Sequence, residues 1–275
     1  MNRIFHKKAL EMKLDERSKF LRKLIIKCIE AGGRGHIGAA MSLVEIIRIL
    51  YDKFLVYDNK NVNLKTRDRF ILSKGHAAGA LYATLAHKGF FNKNKLISYA
   101  TKDSLLEEHP NPKLNGVEAP TGSLGHGLPI ACGMALSAKI LKMNFRTFVL
   151  LGEGECNEGT VWESILFASS KKLNNLIAIV DFNGWQGIGR TKSILNLNPF
   201  SEKWKSFGWN VKKINGHNHR QLYNCLKKRY SKPTVIIAKT IKGKGVSFME
   251  DDNHWHYRIP NINEVKKAKK ELGIK

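Results

Sequence analysis

The stretch LGEGECNEG, residues 151–159, stands where an apolar run gives way to a helical pattern. Residues 147–151 are predicted to form a buried strand and residues 157–172 a helix. The glycines between them let the main chain approach a ligand, and the free N–H groups of a new helix suit a diphosphate. Alone this pattern is weak evidence, because many nucleotide sites share it.

A second motif follows the next apolar run, residues 176–182, which is also predicted to be a strand. Its end carries DFNGW, residues 181–185, about thirty residues after the first motif. Ligands of parallel sheets lie beyond the carboxyl ends of the strands, where Glu153 and Asn183 could both reach one hard cation. The alternative is an ordinary strand-to-helix turn beside a strand-end asparagine. Oxygen ligands admit either Mg²⁺ or Ca²⁺.

The rest of the chain repeats the alternation of strands and helices. Such alternation implies right-handed crossovers and an α/β fold, a parallel sheet with helices on both faces. A glycine-rich turn is predicted at 32–38 and a functional loop at 107–127. No linker divides the chain, so we expect one domain over 1–275 with a basic tail from about 258, of which residues 265–275 are expected to be helical and solvated. The remaining predictions are strands at 69–73, 209–214 and 234–240, and helices at 14–31, 42–51, 77–88, 127–143 and 219–230.

Composition limits the classes of function. The 275 residues include 47 Lys and Arg against 23 Asp and Glu, a net charge of +24 that invites a nucleic-acid hypothesis. The lysines are spread along the chain without an aromatic stripe, so we expect a basic surface that attracts phosphorylated substrates or an acidic partner. No apolar run suggests a membrane span or a signal peptide, and the scattered cysteines suggest reduced, mostly packed thiols in a cytoplasmic protein.

Taken together, the motifs resemble thiamin-diphosphate enzymes of the transketolase type, and the resemblance covers nearly the whole chain. The metal motif of that family is Gly-Asp-Gly followed about thirty residues later by Asn, which residues 152–154 and Asn183 match except at Glu153. Further stretches are similar to transketolase motifs in the same order, namely residues 35–38, 73–77, 108–110, 121–127, 242–246 and 255–256.

The resemblance implies a role for each matching residue. Glu153 and Asn183 would bind the metal with their side chains and Trp185 with its main-chain oxygen. Several imidazoles around the cofactor suit proton transfer at sugar hydroxyls, and His109 would bind the donor's terminal hydroxyl. The implied catalytic residues are His36, His76, His109 and His256, and the implied cofactor-binding residues are His76, Gly122, Leu124, Gly152, Glu153, Gly154, Glu155, Asn183 and His256. His87, His217, His219 and His254 are expected to be structural or exposed.

Three positions depart from the family pattern. Glu153 replaces the usual Asp, Ile37 replaces Pro, and Tyr257 stands where Gly often follows Trp-His. Glu153 is one methylene longer, so the metal or the loop must shift to accommodate it. The departures suggest a specialised sugar in place of the usual substrate.

The resemblance also implies a partner. Full-length transketolases continue for several hundred residues into a domain that holds the aminopyrimidine and supplies the glutamate that activates it. The chain therefore resembles the N-terminal subunit of a split transketolase, active only with a C-terminal subunit in an expected α2β2 tetramer. The implied reaction transfers a two-carbon ketol unit between sugars or sugar phosphates. The alternatives are another thiamin-diphosphate carboligase and a catalytically silent regulatory subunit.

Overall fold

The computed structural model describes residues 3–273 and contains the predicted parallel sheet. The neighbouring strands all run parallel, in the order β1-β2-β3-β5-β4. Each strand lies within one residue of its predicted bounds at both ends. The strands are β1 (Arg69–Leu72), β2 (Thr147–Gly152), β3 (Leu176–Phe182), β4 (Asn210–Asn215) and β5 (Thr234–Lys239).

Helices cover both faces of the sheet, as predicted. Buried strand residues alternate between two apolar layers, with Leu150 and Ile179 in one and Val149 and Val180 in the other. The helices are α1 (Arg3–Leu10), α2 (Glu16–Gly32), α3 (Ile37–Ser42), α4 (Val44–Ile49), α5 (Ala78–His87), α6 (Gly127–Ile140), α7 (Gly159–Ser170), α8 (Thr191–Ile194), α9 (Phe200–Ser206), α10 (His219–Leu226) and α11 (Ile262–Glu271). Helices α2 to α5, α10 and α11 contribute to the first layer, and α6, α7 and α9 contribute to the second.

Helix α2 begins and ends at residues suited to capping. The Asp15 carboxylate accepts the N–H of Ser18 at 2.8 Å, and Gly33 closes the helix in the left-handed conformation with φ of 58°. The next helix begins earlier than predicted. Helix α3 starts at Ile37, within the stretch predicted as a turn, and a side chain at Gly38 would collide with the main chain of Trp255. Gly38 thus allows the first turn of α3 to pack closely against the segment after β5.

The C-terminal tail was wrongly predicted to be only solvated. Helix α11 is basic on its outer face, but Val265, Ala268 and Leu272 are buried in the first apolar layer. The helix is also capped at its first turn, because Asn261 and Glu264 bond to each other's main-chain N–H groups. The tail is therefore a packed element of the fold.

Two further features are the apolarity of the helices and the state of the cysteines. Within residues 3–273, no helix is both long enough and apolar enough to cross a bilayer. The four cysteines are free, with Cys28, Cys132 and Cys156 buried and Cys225 partly buried. The prediction of packed thiols is confirmed.

Candidate active site

A cleft of about 510 Å³ opens at the carboxyl edge of the sheet. Strands β2 and β3 pair with Gly152 opposite Asp181, so the two sequence motifs leave the sheet side by side. The cleft brings together every site residue predicted from the sequence, namely His36, His76, His109, Gly122, Leu124, Gly152, Glu153, Gly154, Glu155, Asn183, Trp185 and His256.

The predicted metal ligands lie together on the floor of this cleft. The Glu153 carboxylate accepts the N–H of Gly184 at 2.7 Å, and the Asn183 side-chain oxygen accepts the N–H of Trp185 at 2.9 Å. Glu153 is only 6% exposed, and burial raises the pKa of its carboxyl group to about 7. Within the described part of the chain, no three His, Cys, Asp or Glu side chains form a metal-binding group. A cation here would therefore depend on the Asn183 amide and on main-chain oxygens as well as on Glu153.

A buried carboxylate beneath the floor holds these loops in place. Asp181 accepts hydrogen bonds from Lys74 at 2.5 Å, from Ser42 at 2.9 Å, from Asn183 at 3.1 Å and from Thr240. Burial alone would raise the pKa of Asp181, but the charge of Lys74 and these bonds outweigh it and lower the pKa. Asp181 thus fixes the orientation of the Asn183 amide.

Glu155 lines the cleft with both carboxylate oxygens already engaged. It accepts hydrogen bonds from the Ser73 hydroxyl, from the N–H of Gly125 at 2.9 Å and from the N–H of Gly152 at 2.9 Å. Burial raises the pKa of Glu155. These contacts join the turns that follow β1 and β2 to the loop at 107–127. The predicted contact of Glu155 with a cofactor stays a prediction.

Three of the predicted histidines form a compact cluster above the floor. The ring centroid of His36 lies 4.9 Å from that of His76 and 5.0 Å from that of His256. Burial, together with nearby positive charge, lowers the pKa of His36 to about 4 and that of His256 to about 3, and it lowers the pKa of His76 well below its usual range. The cluster is therefore neutral at pH 7, so each ring has one nitrogen able to donate and one able to accept.

His109 reaches the same cleft because residue 122 is a glycine. Gly122 has φ of 143°, and a side chain there would lie 2.7 Å from the His109 ring. Residues 107–126 contain neither helix nor strand, in agreement with the predicted loop, and α6 begins at Gly127.

Several cleft residues were not predicted as site residues. Lys242 donates a hydrogen bond to Asn253 at 2.6 Å and lies 2.9 Å from Nδ1 of His256, and burial together with Lys74 lowers the pKa of Lys242 to about 7. Asn157 and Gln186 each point a buried polar atom with no hydrogen-bond partner, among the described residues, at the cleft region. Buried polar atoms of this kind normally have partners. Two lysines, the unsatisfied Nε2 donor of Gln186 and a glycine-rich main chain fit an anionic diphosphate, whereas the unsatisfied Oδ1 of Asn157 is an acceptor.

The histidines expected to be structural or exposed lie outside the cleft. His217 is fully buried, where its ring bonds to Glu45 at 2.7 Å and accepts the N–H of Ile241 at 2.9 Å. His254 is exposed and bonds to Asp252. His87 and His219 are partly buried away from the site. The expectation for these four residues is confirmed.

Comparison with known proteins identifies the family to which this chain belongs. Residues 15–275 match the family model described as transketolase, thiamine diphosphate binding domain. The chain belongs to the transketolase family. It is 41% identical over 263 residues to an apulose-4-phosphate transketolase subunit of Actinobacillus succinogenes, covering 94% of this chain and 95% of that one. It is 37% identical over 244 residues to a 6-deoxy-6-sulfo-D-fructose transketolase subunit of Clostridium sp., covering 87% and 89%.

Solved transketolase structures share the fold. The transketolase of Campylobacter jejuni superposes with a TM-score of 0.89 at 30% identity, covering 100% of this chain and 43% of that one. The transketolase of Leishmania mexicana gives a TM-score of 0.90 at 25% identity, covering 96% and 42%. The resemblance inferred from the motifs is confirmed. The chain spans about two fifths of these longer transketolases but nearly the full length of the subunit relatives.

Proposed function

We propose that this chain is the diphosphate- and metal-binding subunit of a two-chain transketolase. The complete enzyme would transfer a two-carbon ketol unit from a ketose donor to an aldose acceptor. The observation that carries the proposal is the neutral histidine cluster of His36, His76 and His256 above a floor formed by Glu153 and Asn183. Polyhydroxy substrates require many hydroxyl contacts and proton transfers, which neutral imidazoles can provide.

The floor of the cleft would hold the cofactor. Glu153 and Asn183 would bind Mg²⁺ or Ca²⁺ with their side chains and Trp185 with its main-chain oxygen, while Gly152 and Gly154 meet the diphosphate. Thiamin diphosphate, when bound, supplies the nucleophilic carbon of its thiazolium ring. Lys74, which is paired with Asp181, and Lys242, whose pKa is about 7, line the cleft wall, where their amino groups can donate hydrogen bonds to anionic groups.

The histidines would form hydrogen bonds to the substrate. Nδ1 of His256 lies 2.9 Å from Nζ of Lys242. When Lys242 is protonated it can only donate, and the ring proton of His256 is then on Nε2. His256 is thereby a hydrogen-bond donor to the cleft. His109 would accept or donate a hydrogen bond at the terminal hydroxyl of the donor sugar, in a position set by Gly122.

A partner chain is part of the proposal. The relatives of matching length are named as transketolase subunits, and this chain spans only two fifths of single-chain transketolases. We therefore propose that a C-terminal subunit holds the aminopyrimidine and contributes its activating glutamate, in an α2β2 assembly. The names of those relatives also favour a specialised sugar or sugar phosphate as substrate.

The proposal is tested by reconstitution. A companion C-terminal subunit, this chain and their mixture are incubated with thiamin diphosphate, Mg²⁺, a ketose phosphate and a panel of aldoses, and products are identified by mass spectrometry. We expect ketoses two carbons longer than the acceptor from the mixture alone, and none when Glu153→Gln replaces the wild-type chain. Glu163→Gln, at an exposed site on α7, is the matched control and should remain active. Cofactor binding without two-carbon transfer would contradict the proposed reaction and favour another carboligase or a silent subunit.

A further inference from the structure

Two unsatisfied polar atoms face each other at the edge of the histidine cluster. Within residues 3–273, Nδ1 of His36 and Oε1 of Glu108 are both buried without a hydrogen-bond partner. They lie 3.9 Å apart, and the two side chains are 14% and 20% exposed. Leaving either buried atom without a hydrogen bond is unfavourable. A small rotation that closes about 1 Å of this gap would satisfy both atoms at once.

Tyr257 lies beside both Glu108 and His36. The nearby Glu108 carboxylate raises the pKa of Tyr257. The Tyr257 ring also packs against His36 with centroids 4.8 Å apart. Glu108, Tyr257 and His36 therefore form one unit beside the cleft, although residues 36, 108 and 257 are far apart in the chain.

The chemistry of this contact determines the tautomer of His36. An ionised carboxylate only accepts hydrogen bonds, so a bond to Nδ1 requires a proton on that nitrogen. Burial, followed by the influence of His109, Lys74 and Lys242, lowers the pKa of His36 to about 4, so the ring carries a single proton at pH 7. A proton on Nδ1 leaves the lone pair on Nε2, the nitrogen available to a ligand in the cleft.

His256 has the opposite arrangement at a distance of 5.0 Å between ring centroids. Its Nδ1 lies 2.9 Å from Nζ of Lys242, so protonated Lys242 donates to Nδ1 and leaves the ring proton on Nε2. The two neighbouring rings would then present one acceptor and one donor to the same region of the cleft. A sugar hydroxyl both donates and accepts, and it can use both nitrogens.

We propose that Glu108 is a positioning residue that holds His36 in the Nδ1-protonated tautomer, so that His36 accepts and His256 donates hydrogen bonds to substrate hydroxyl groups. The consequence for turnover rests on the proposed function, whereas the tautomer is a property of the chain itself. The titratable groups that surround His36 are His76, His109, His256, Lys74, Lys242, Glu108 and Tyr257.

The tautomer is measured by long-range ¹H–¹⁵N correlation spectra of the imidazole rings in the ¹⁵N-labelled full chain at pH 6, where Lys242 is protonated and His36 is neutral, with His36→Asn used for assignment. We expect His36 to be Nδ1-protonated in the wild type and to move toward a mixture of tautomers in Glu108→Ala. Tyr257→Phe, which keeps the ring and removes its hydroxyl, should shift the His36 tautomer in the same direction. Glu107→Ala, at the neighbouring exposed position, is the matched control and should leave the His36 tautomer unchanged. An Nε2-protonated His36 in the wild type would overturn the proposal.

Turnover in the reconstituted pair gives a second readout. Proton transfer by a positioned side chain contributes about 10²–10⁴-fold, so Glu108→Ala should lower kcat/KM by roughly tenfold to a hundredfold. The pH dependence of kcat/KM should also change in Glu108→Ala, while the affinity of the pair for thiamin diphosphate stays that of the wild type. An unchanged kcat/KM in an active pair would refute the role of Glu108. An inactive wild-type pair whose His36 is Nδ1-protonated would refute the proposed function and leave the tautomer assignment standing.

Discussion

Replacing Glu153 with Gln should make the fold more stable while removing its proposed metal binding. Burial raises the pKa of Glu153 to about 7 from a usual value of 4.5. A carboxyl group whose pKa rises on folding holds its proton more tightly in the folded chain. Its contribution to stability is therefore complete below pH 4.5 and is lost as the pH rises through 7.

The size of the effect follows from the same values. The interval from 4.5 to about 7, at about 1.4 kcal/mol per pH unit, amounts to about 3 kcal/mol. Gln has nearly the same volume, cannot ionise and can still accept the N–H of Gly184. We therefore expect Glu153→Gln to be more stable than the metal-free wild type by about 3 kcal/mol at pH 8 and by little at pH 5.

The assay is urea unfolding of the metal-free chain at pH 5 and pH 8. Glu163→Gln, an exposed glutamate on α7, is the control for removing a charge without burial. A Glu153→Gln stability equal to wild type at pH 8, or a gain of the same size at both pH values, would refute the reasoning. The same variant should lose Mg²⁺-dependent binding of thiamin diphosphate in the reconstituted pair.

Three further substitutions test the site. Asn183→Ala should weaken binding of thiamin diphosphate with Mg²⁺ by roughly tenfold or more, measured by calorimetry on the pair, and an unchanged affinity would remove Asn183 from the metal site. Glu153→Asp restores the residue usual in the family and should bind the cofactor at least as tightly as wild type, so loss of binding would show that the longer side chain is required. His109→Ala should lower kcat for the donor with little change in cofactor affinity. An unchanged kcat would exclude His109 from substrate contact.

Local pattern in the sequence was enough to predict the sheet and the position of the cleft. The apolar runs that form β2 and β3 end in glycines and polar residues, and the carboxyl ends of neighbouring parallel strands must share one edge. Family resemblance then selected His36, His76, His109 and His256 among ten histidines, and all four line the cleft. Their roles in catalysis remain predictions.

Contacts between distant segments escaped sequence reasoning. Lys74 and Asp181 are 107 residues apart, and nothing in either local pattern shows that they form an ion pair. Helix α11 looked solvated because its lysines dominate the composition, whereas its few apolar residues share one face. Glu108 lies in an irregular loop with no periodicity, so only the folded chain brings it next to His36.

The central claim is that this chain supplies the diphosphate and metal half of an active site that a partner completes. Its most direct test is calorimetric titration of thiamin diphosphate with Mg²⁺ into the chain alone and into its mixture with a C-terminal transketolase subunit. We predict tight, Mg²⁺-dependent binding in the mixture and much weaker binding by the chain alone. Absence of binding in both samples, or equal affinity in both, would contradict the account.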